Sequence, residues 1–208
     1  MSQFLAPIHT WLFNKILILE DVEKEIAKGL ETQNLQEKQE AILEKYGQFI
    51  PDQPLETMID QSNIHGWLQE RITVAERRQA ALVNILLESS ENALEGIQNI
   101  YENKGREHAR RLNAKATEPA EMFNLLGDVL LEGMPCDRVN RLIEQEEDKV
   151  IWQTAVCVHK NNWEQESVPV EHYYHFREAF TRGFVEETNS AMRYTYTLGE
   201  EQLHELTI

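Results

Sequence analysis

The sequence predicts an all-α protein: a multi-helix bundle with an internally repeated helix and a short C-terminal extension. Three observations lead there. Apolar residues recur at three- and four-residue spacing along most of the 208 residues, the pattern of amphipathic helices. Proline followed two positions later by glutamate occurs at Pro54, Pro119 and Pro169, and this pairing suits the unpaired N–H groups and the positive dipole end of a helix start. No strand–helix–strand alternation and no glycine-rich phosphate loop accompanies the pattern.

Pro7 opens the first helix, which runs to about Leu30. Asn34 caps a shorter one, with Leu35, Ala41, Ile42 and Leu43 inward, and Gly47 ends it. Residues 49–54 form a loop. A long helix then starts near Ile64 and continues through Leu87; Ser89 and Ser90 break it, helical character resumes to Tyr101, and Lys104-Gly105 is the expected stop. Pro119 begins a helix that reaches Gly133, and Pro135 separates it from a long helix between Cys136 or Asp137 and Trp163. That helix is apolar on nearly every side from Val150 to Val158. Pro169 starts the last large helix, which ends at Thr188. Beyond it, residues 193–197 have strand-like composition but no partner, and residues 199–206 read as a final short helix. The expected organisation is a bundle over residues 1–188 and a tail over residues 189–208.

The repeat lies inside that bundle. Ile8-His9-Thr10-Trp11-Leu12-Phe13-Asn14-Lys15-Ile16 returns as Ile64-His65-Gly66-Trp67-Leu68-Gln69-Glu70-Arg71-Ile72, an offset of 65 − 9 = 56. Glu20 falls on Glu76 at the same offset. The repeated helix therefore spans residues 8–20 and 64–76, within halves of approximately 1–56 and 57–112.

Six polar residues fall on otherwise apolar stripes. His9 and Glu20 share a face with Leu12, Phe13 and Ile16, and His65 and Glu76 share the matching face with Leu68 and Ile72. Glu146 sits between Leu142 and Val150 on the expected long helix, and His172 projects with Phe176, Ala179 and Phe180 on the last one. A buried polar group requires a hydrogen bond, a charge partner or a metal. Imidazole nitrogen and carboxylate oxygen suit iron, manganese or zinc, and helical bundles build such sites from facing helices. The candidate metal ligands are accordingly His9, His65, Glu20, Glu76, Glu146 and His172, with haem on facing histidines as the other cofactor reading. The His and Glu levels of one copy lie about 16 Å apart along a helix, so a single ion reaches only one level.

Bland readings stand beside these. A histidine near a helix start can hydrogen-bond a neighbouring carbonyl or carboxylate, and Glu20 and Glu76 can pair with Lys or Arg. Trp11 and Trp67 read as core or interface anchors, and Tyr173 and Tyr174 as core aromatics, with a pocket wall as their other role. The only Glu-x-x-His pair is Glu201 with His204, in the tail. Cys136 and Cys157 form no CxxC motif and read as small packed apolar groups.

Composition narrows the function. A net charge of −16 repels phosphate backbones, which argues against nucleic acid. No apolar run approaches the roughly 20 residues that span a bilayer, and no leader precedes the first helix, so the expectation is a cytoplasmic protein with no membrane partner. Two classes follow: a metal- or haem-binding helical protein acting as oxidoreductase or sensor, or a non-catalytic helical interaction or regulatory protein, homo-oligomeric or with a protein partner. A small-ligand enzyme without metal is a third.

Overall fold

The structure, a computed structural model, describes residues 5–199 and 201–208. It corrects the all-α expectation: the described residues hold eight α-helices and a four-stranded antiparallel sheet. The chain divides into two compact units, Met1–Glu91 with Asn161–Val168, and Asn92–Lys160 with Pro169–Ile208. No helix among the described residues is long and apolar enough to cross a membrane.

In the first unit, α1 (Pro7–Thr32), α2 (Gln36–Tyr46), α3 (Leu55–Met58) and α4 (Ile64–Ser89) lie near the expected bounds, but the cap position of α2 is Leu35 and not Asn34. Pro7 occupies the first turn of α1, and the Asn63 side chain caps α4 by accepting from the Gly66 N–H at 3.2 Å. Asn34 and Gly47, both with positive φ, turn the chain after α1 and α2. Helices α1 and α4 lie side by side and parallel. Contacts near both ends keep one offset of 56 residues, His9 with His65 and Gln33 with Ser89. Leu12, Ile16, Ile26 and Leu30 of α1 and Leu68, Ile72, Leu82 and Val83 of α4 are buried in the core they share. Residues Asn161–Val168, which include most of α7 (Lys160–Glu164), also belong to this unit.

The second unit packs helices on one face of a sheet. Its helices are α5 (Ala93–Arg111), α6 (Pro119–Val129) and α8 (Val170–Thr188), and its strands are β1 (Asn140–Gln145), β2 (Lys149–Thr154), β3 (Arg193–Thr197) and β4 (Gln202–Thr207), in the order β1-β2-β4-β3. The expected helix from Cys136 to Trp163 is thus a hairpin and a loop. Val150, Trp152 and Thr154 are buried at a period of two, while Ile151 and Gln153 are only partly so, which is a strand with one covered face. Glu146-Glu147-Asp148 makes the turn, closed by the Glu146 N–H donating to the Lys149 carbonyl at 2.7 Å. The strand-like stretch at 193–197 does find a partner: the segment expected to be a terminal helix is β4, which sets Tyr194 opposite Leu206 and Tyr196 opposite His204. Residues 189–208 are therefore half of the sheet. Trp152, His204 and Tyr196 form a row across the covered face, with ring centroids 4.8 Å apart at each step. Helix α6 packs on β2 and β4, and α8 on β3.

Gly105 was the expected end of a helix, yet α5 runs on through it to Arg111. Its lack of a side chain serves packing. A Cβ on Gly105 would stand 2.1 Å from the Phe180 carbonyl oxygen, and one on Gly183 would stand 2.2 Å from that of Glu102. The backbones of α5 and α8 touch at this crossing, which only glycine permits on either helix. Both positions have helical φ, so the constraint is steric. Gly105→Ala and Gly183→Ala should each lower unfolding stability by about 1–3 kcal/mol or more, measured by denaturant titration, whereas Gly96→Ala on α5, where nothing lies within 4 Å, should be neutral or stabilising.

Candidate functional site

The structure brings two of the six expected ligands together and disperses the rest. His9 Nε2 and His65 Nε2 are 3.1 Å apart in the first unit. The Ala6 N–H donates to His9 Nδ1 at 3.0 Å, so Nδ1 is an acceptor and the proton of a neutral His9 sits on Nε2. Nε2 then donates to His65, which engages the lone pair of His65 Nε2. Burial, reinforced by His65, holds His9 below the ordinary imidazole range, in keeping with this neutral pair. Part of what His9 does is capping: it is the third residue of α1 and satisfies the N–H of the residue before the helix.

Glu20 points instead into an ionic core. The fully buried Arg78 donates Nη2 to Glu20 at 2.5 Å and Nε to Glu23 at 2.5 Å, while Nη1 reaches the Gly47 and Gln48 carbonyls at 3.0 and 2.9 Å. Glu20 also accepts the Ile50 N–H at 2.9 Å, and the Phe49 ring lies 4.5 Å from the guanidinium. Burial pushes the Glu23 carboxyl upward, against the downward pull of Arg78. Glu76 accepts from the Asn162 side chain at 2.8 Å. Glu146 lies exposed in the β1–β2 turn, because the residues around it form a hairpin and not a helix. His172, in the second unit, is half-buried on α8 with its ring against Phe176, and burial, then His175, lowers its affinity for a proton. Among the described residues no three His, Cys, Asp or Glu side chains gather in an arrangement able to hold a metal ion.

A different cluster emerges from the second unit, where the sheet's covered face meets α8. Tyr174, Arg177 and Thr181 follow one another at helical spacing on α8, all buried. Arg177 pairs through Nη2 with Glu132, and Glu132 lies 3.7 Å from His159. His159 Nε2 in turn bonds the Tyr173 hydroxyl at 3.2 Å. On the sheet, His204 holds the Thr154 hydroxyl on Nε2 at 2.9 Å and the Tyr194 hydroxyl on Nδ1 at 2.7 Å. Its burial, with Arg177 nearby, drives its pKa down to about 2, so the ring stays neutral and both its nitrogens are used.

Other groups in this layer are not matched. Arg177 Nε, the Tyr174 and Tyr196 hydroxyls and Gln202 Oε1 are buried without a hydrogen-bond partner. Tyr174 and Tyr196 rings lie 6.4 Å apart, with Gln202 and Cys157 beside the Tyr174 hydroxyl. Burial raises Tyr174 far above the ordinary phenol range and Tyr196 to about 12. By contrast, two of the three arginines of a surface recess of about 550 Å³ on the same unit, Arg106 and Arg182, are already met by Glu102, Glu178 and Glu186.

No family model, curated protein or solved structure matches the chain. The site therefore rests on geometry. Sequence reasoning passed over Arg177, Glu132, Tyr196 and Gln202, and placed His204 only in a Glu-x-x-His pair. The available signal was Tyr194-x-Tyr196 answered by Gln202-x-His204-x-Leu206, two alternating segments whose polar members share a face once paired. Cys136 and Cys157, expected as packed apolar groups, are both exposed free thiols.

Two consequences are measurable. Arg78→Met leaves two buried carboxylates without their cation and should cost about 3–5 kcal/mol in denaturant unfolding. The pH dependence follows from His204. Its folded pKa lies below its unfolded value of 6.5, so the unfolded chain takes up the proton first, and the stability tied to neutral His204 is present above pH 6.5 and lost as pH falls toward 2. His9 and His172 are lowered in the same direction. Between pH 7 and 5 the wild type should lose about 2 kcal/mol through His204 alone, and His204→Gln should flatten that slope in parallel denaturation series.

Proposed function

We propose that the second unit binds a small polar molecule between α8 and the covered face of the sheet, with Arg177, Tyr174, Tyr196 and Gln202 as its contacts. One observation carries this reading: four buried polar atoms in one layer lack partners, while Thr154, Tyr194 and His204 beside them are fully bonded. Each such atom costs a folded protein about 1–3 kcal/mol, and cores leave few of them. A ligand that matches them recovers that deficit on binding.

The unmatched set describes the ligand. Arg177 Nε donates, Gln202 Oε1 accepts, and the two phenols do either. A carbonyl oxygen next to an N–H or O–H group meets all four, which is the chemistry of a small amide or carboxylic acid. Glu132 already balances the Arg177 charge, so a neutral ligand is favoured over a free anion. The six inward His and Glu residues support a metal or haem reading less well, since His9, His65, Glu20 and Glu76 are engaged with one another or with protein partners.

Thermal denaturation in the presence of small primary amides and N-acetylated amino acid amides tests the proposal. The wild type should be stabilised by members of the set, and Arg177→Met should not respond. Tyr174→Phe should fold with stability equal to or above that of the parent, because it deletes an unmatched hydroxyl, and should lose the ligand response. A Tyr174→Phe chain that is destabilised by more than about 1 kcal/mol would mean that the hydroxyl already has a structural partner, and the proposal would fail.

A further inference from the structure

We propose that β1 is a self-association edge: it pairs antiparallel with β1 of a second copy about a two-fold axis, with Arg141 of each copy opposite Glu144 of the other. The strand is one outer edge of the sheet, next to β2 alone. All of its residues but Glu144 are exposed, and Leu142 and Ile143 stand side by side in it at 46% and 50% exposure. An edge that shows two large apolar side chains invites another strand.

The register of β1 on β2 decides which faces its residues occupy. Asn140, Arg141 and Leu142 oppose Thr154, Gln153 and Trp152, and after them Glu144 and Gln145 oppose Ile151 and Val150. Ile143 is therefore an extra residue, a bulge. Residues directly opposed across a ladder share a face, and Val150, Trp152 and Thr154 line the covered one. Asn140, Leu142 and Gln145 thus lie on the covered face, and Arg141 and Glu144 lie together on the open one. The 2.7 Å bond from Arg141 Nη2 to Gln153 Oε1 agrees with this. Three residues apart in a regular strand, Arg141 and Glu144 would point to opposite faces; the bulge unites them.

A two-fold axis normal to the sheet keeps each face continuous, so it opposes only residues of one face. Placed between Leu142 and Ile143, it sets Arg141 against Glu144 twice on the open face and Asn140 against Gln145 on the covered face. Leu142 meets Ile143 at the centre, where the two bulges face each other. Charge beyond the strand has the same polarity. Arg138 precedes it and Glu146-Glu147-Asp148 follow it, all exposed, so antiparallel pairing brings each basic end to an acidic one. Asp137, also on the basic side, is engaged in accepting the Met134 N–H at 2.8 Å. Within one copy Glu144 holds Lys149 at 2.6 Å, a solvent-accessible pair that exchanges partners at little cost. The other edge, β3, fits less well, because Arg193-Tyr194-Thr195-Tyr196-Thr197 has no carboxylate to answer Arg141.

A six-residue pairing is small for an interface, so monomer and dimer should exchange with concentration. Sedimentation velocity of the full chain, from micromolar to near-millimolar concentration, should show monomer passing to dimer and nothing larger. Arg141→Glu and Glu144→Arg should each raise the dimer dissociation constant about tenfold or more, because each opposes like charges twice. Both variants should keep the far-UV circular dichroism and unfolding midpoint of the parent. Mixing them in equal amounts should restore the dimer, since each supplies the charge the other lacks, and the chain carrying both substitutions should dimerise as the parent does. A parent chain that stays monomeric over the whole range, single variants that dimerise as tightly as the parent, or a mixture that stays monomeric would overturn the proposal. Growth past the dimer would overturn it too, and would mean that β1 joins β3 of the next copy in an open chain.

Discussion

The second unit depends on the crossing of α5 and α8, where Gly105 lies against the Phe180 backbone and Gly183 against that of Glu102. A closer approach of two helices turns more of each into contact surface, and here it fixes α8 tightly enough that its other face can carry a charge. Phe176 and Phe180 face α5, with Phe176 stacked on Tyr101 and Phe180 beside His108. Tyr174, Arg177 and Thr181 are then presented on the same helix toward the strands.

The two units each bury an arginine, and they treat it differently. Arg78 is matched on all sides, with two carboxylates, two carbonyls and an aromatic face, as a buried charge requires if it is to serve structure. Arg177 has one carboxylate and one idle N–H, surrounded by phenols that are idle too. Completeness marks the first as architecture, and incompleteness marks the second as a place where something else completes the set. Burial alone did not separate them, because both side chains are almost wholly removed from solvent.

Helices announced themselves in the sequence wherever a cap or proline stood at the right place: Pro7, Asn63, Pro119 and Pro169 all lie at helix starts. The hairpin did not. Val150-Ile151-Trp152 is apolar whether read at a period of two or of 3.6, and only the β-branched and aromatic content with the acidic turn before it favours a strand. Residues 193–197 looked isolated because their partner, 202–207, is interrupted by polar residues that face the covered layer. The repeated His-x-Trp segment matched α1 to α4 but left parallel and antiparallel pairing open; the parallel pairing is what brings His9 to His65. The fate of Glu20 could not be read, since Arg78 stands two residues beyond the repeat and has no counterpart in α1: the residue 56 positions earlier is Val22. A site made of unmatched atoms is the hardest to read from a sequence, for it is defined by what three-dimensional neighbours fail to supply.

Strand β4 lies inside the sheet, between β2 and β3, although it follows both in the chain. Thr154 and its partner His204 are separated by 50 residues, and α8 lies between them. Strand β2 therefore keeps an open, apolar edge through every stage of folding that precedes the arrival of residues 202–207, paired only with the exposed β1. Pairings of this separation form slowly, because chain entropy must be surrendered before the contact can reward it. During that interval the bare edge of β2 is a template for a neighbouring molecule, and the interval's length is set by how quickly α8 settles against α5, so the glycine crossing governs the risk of aggregation as well as the final packing.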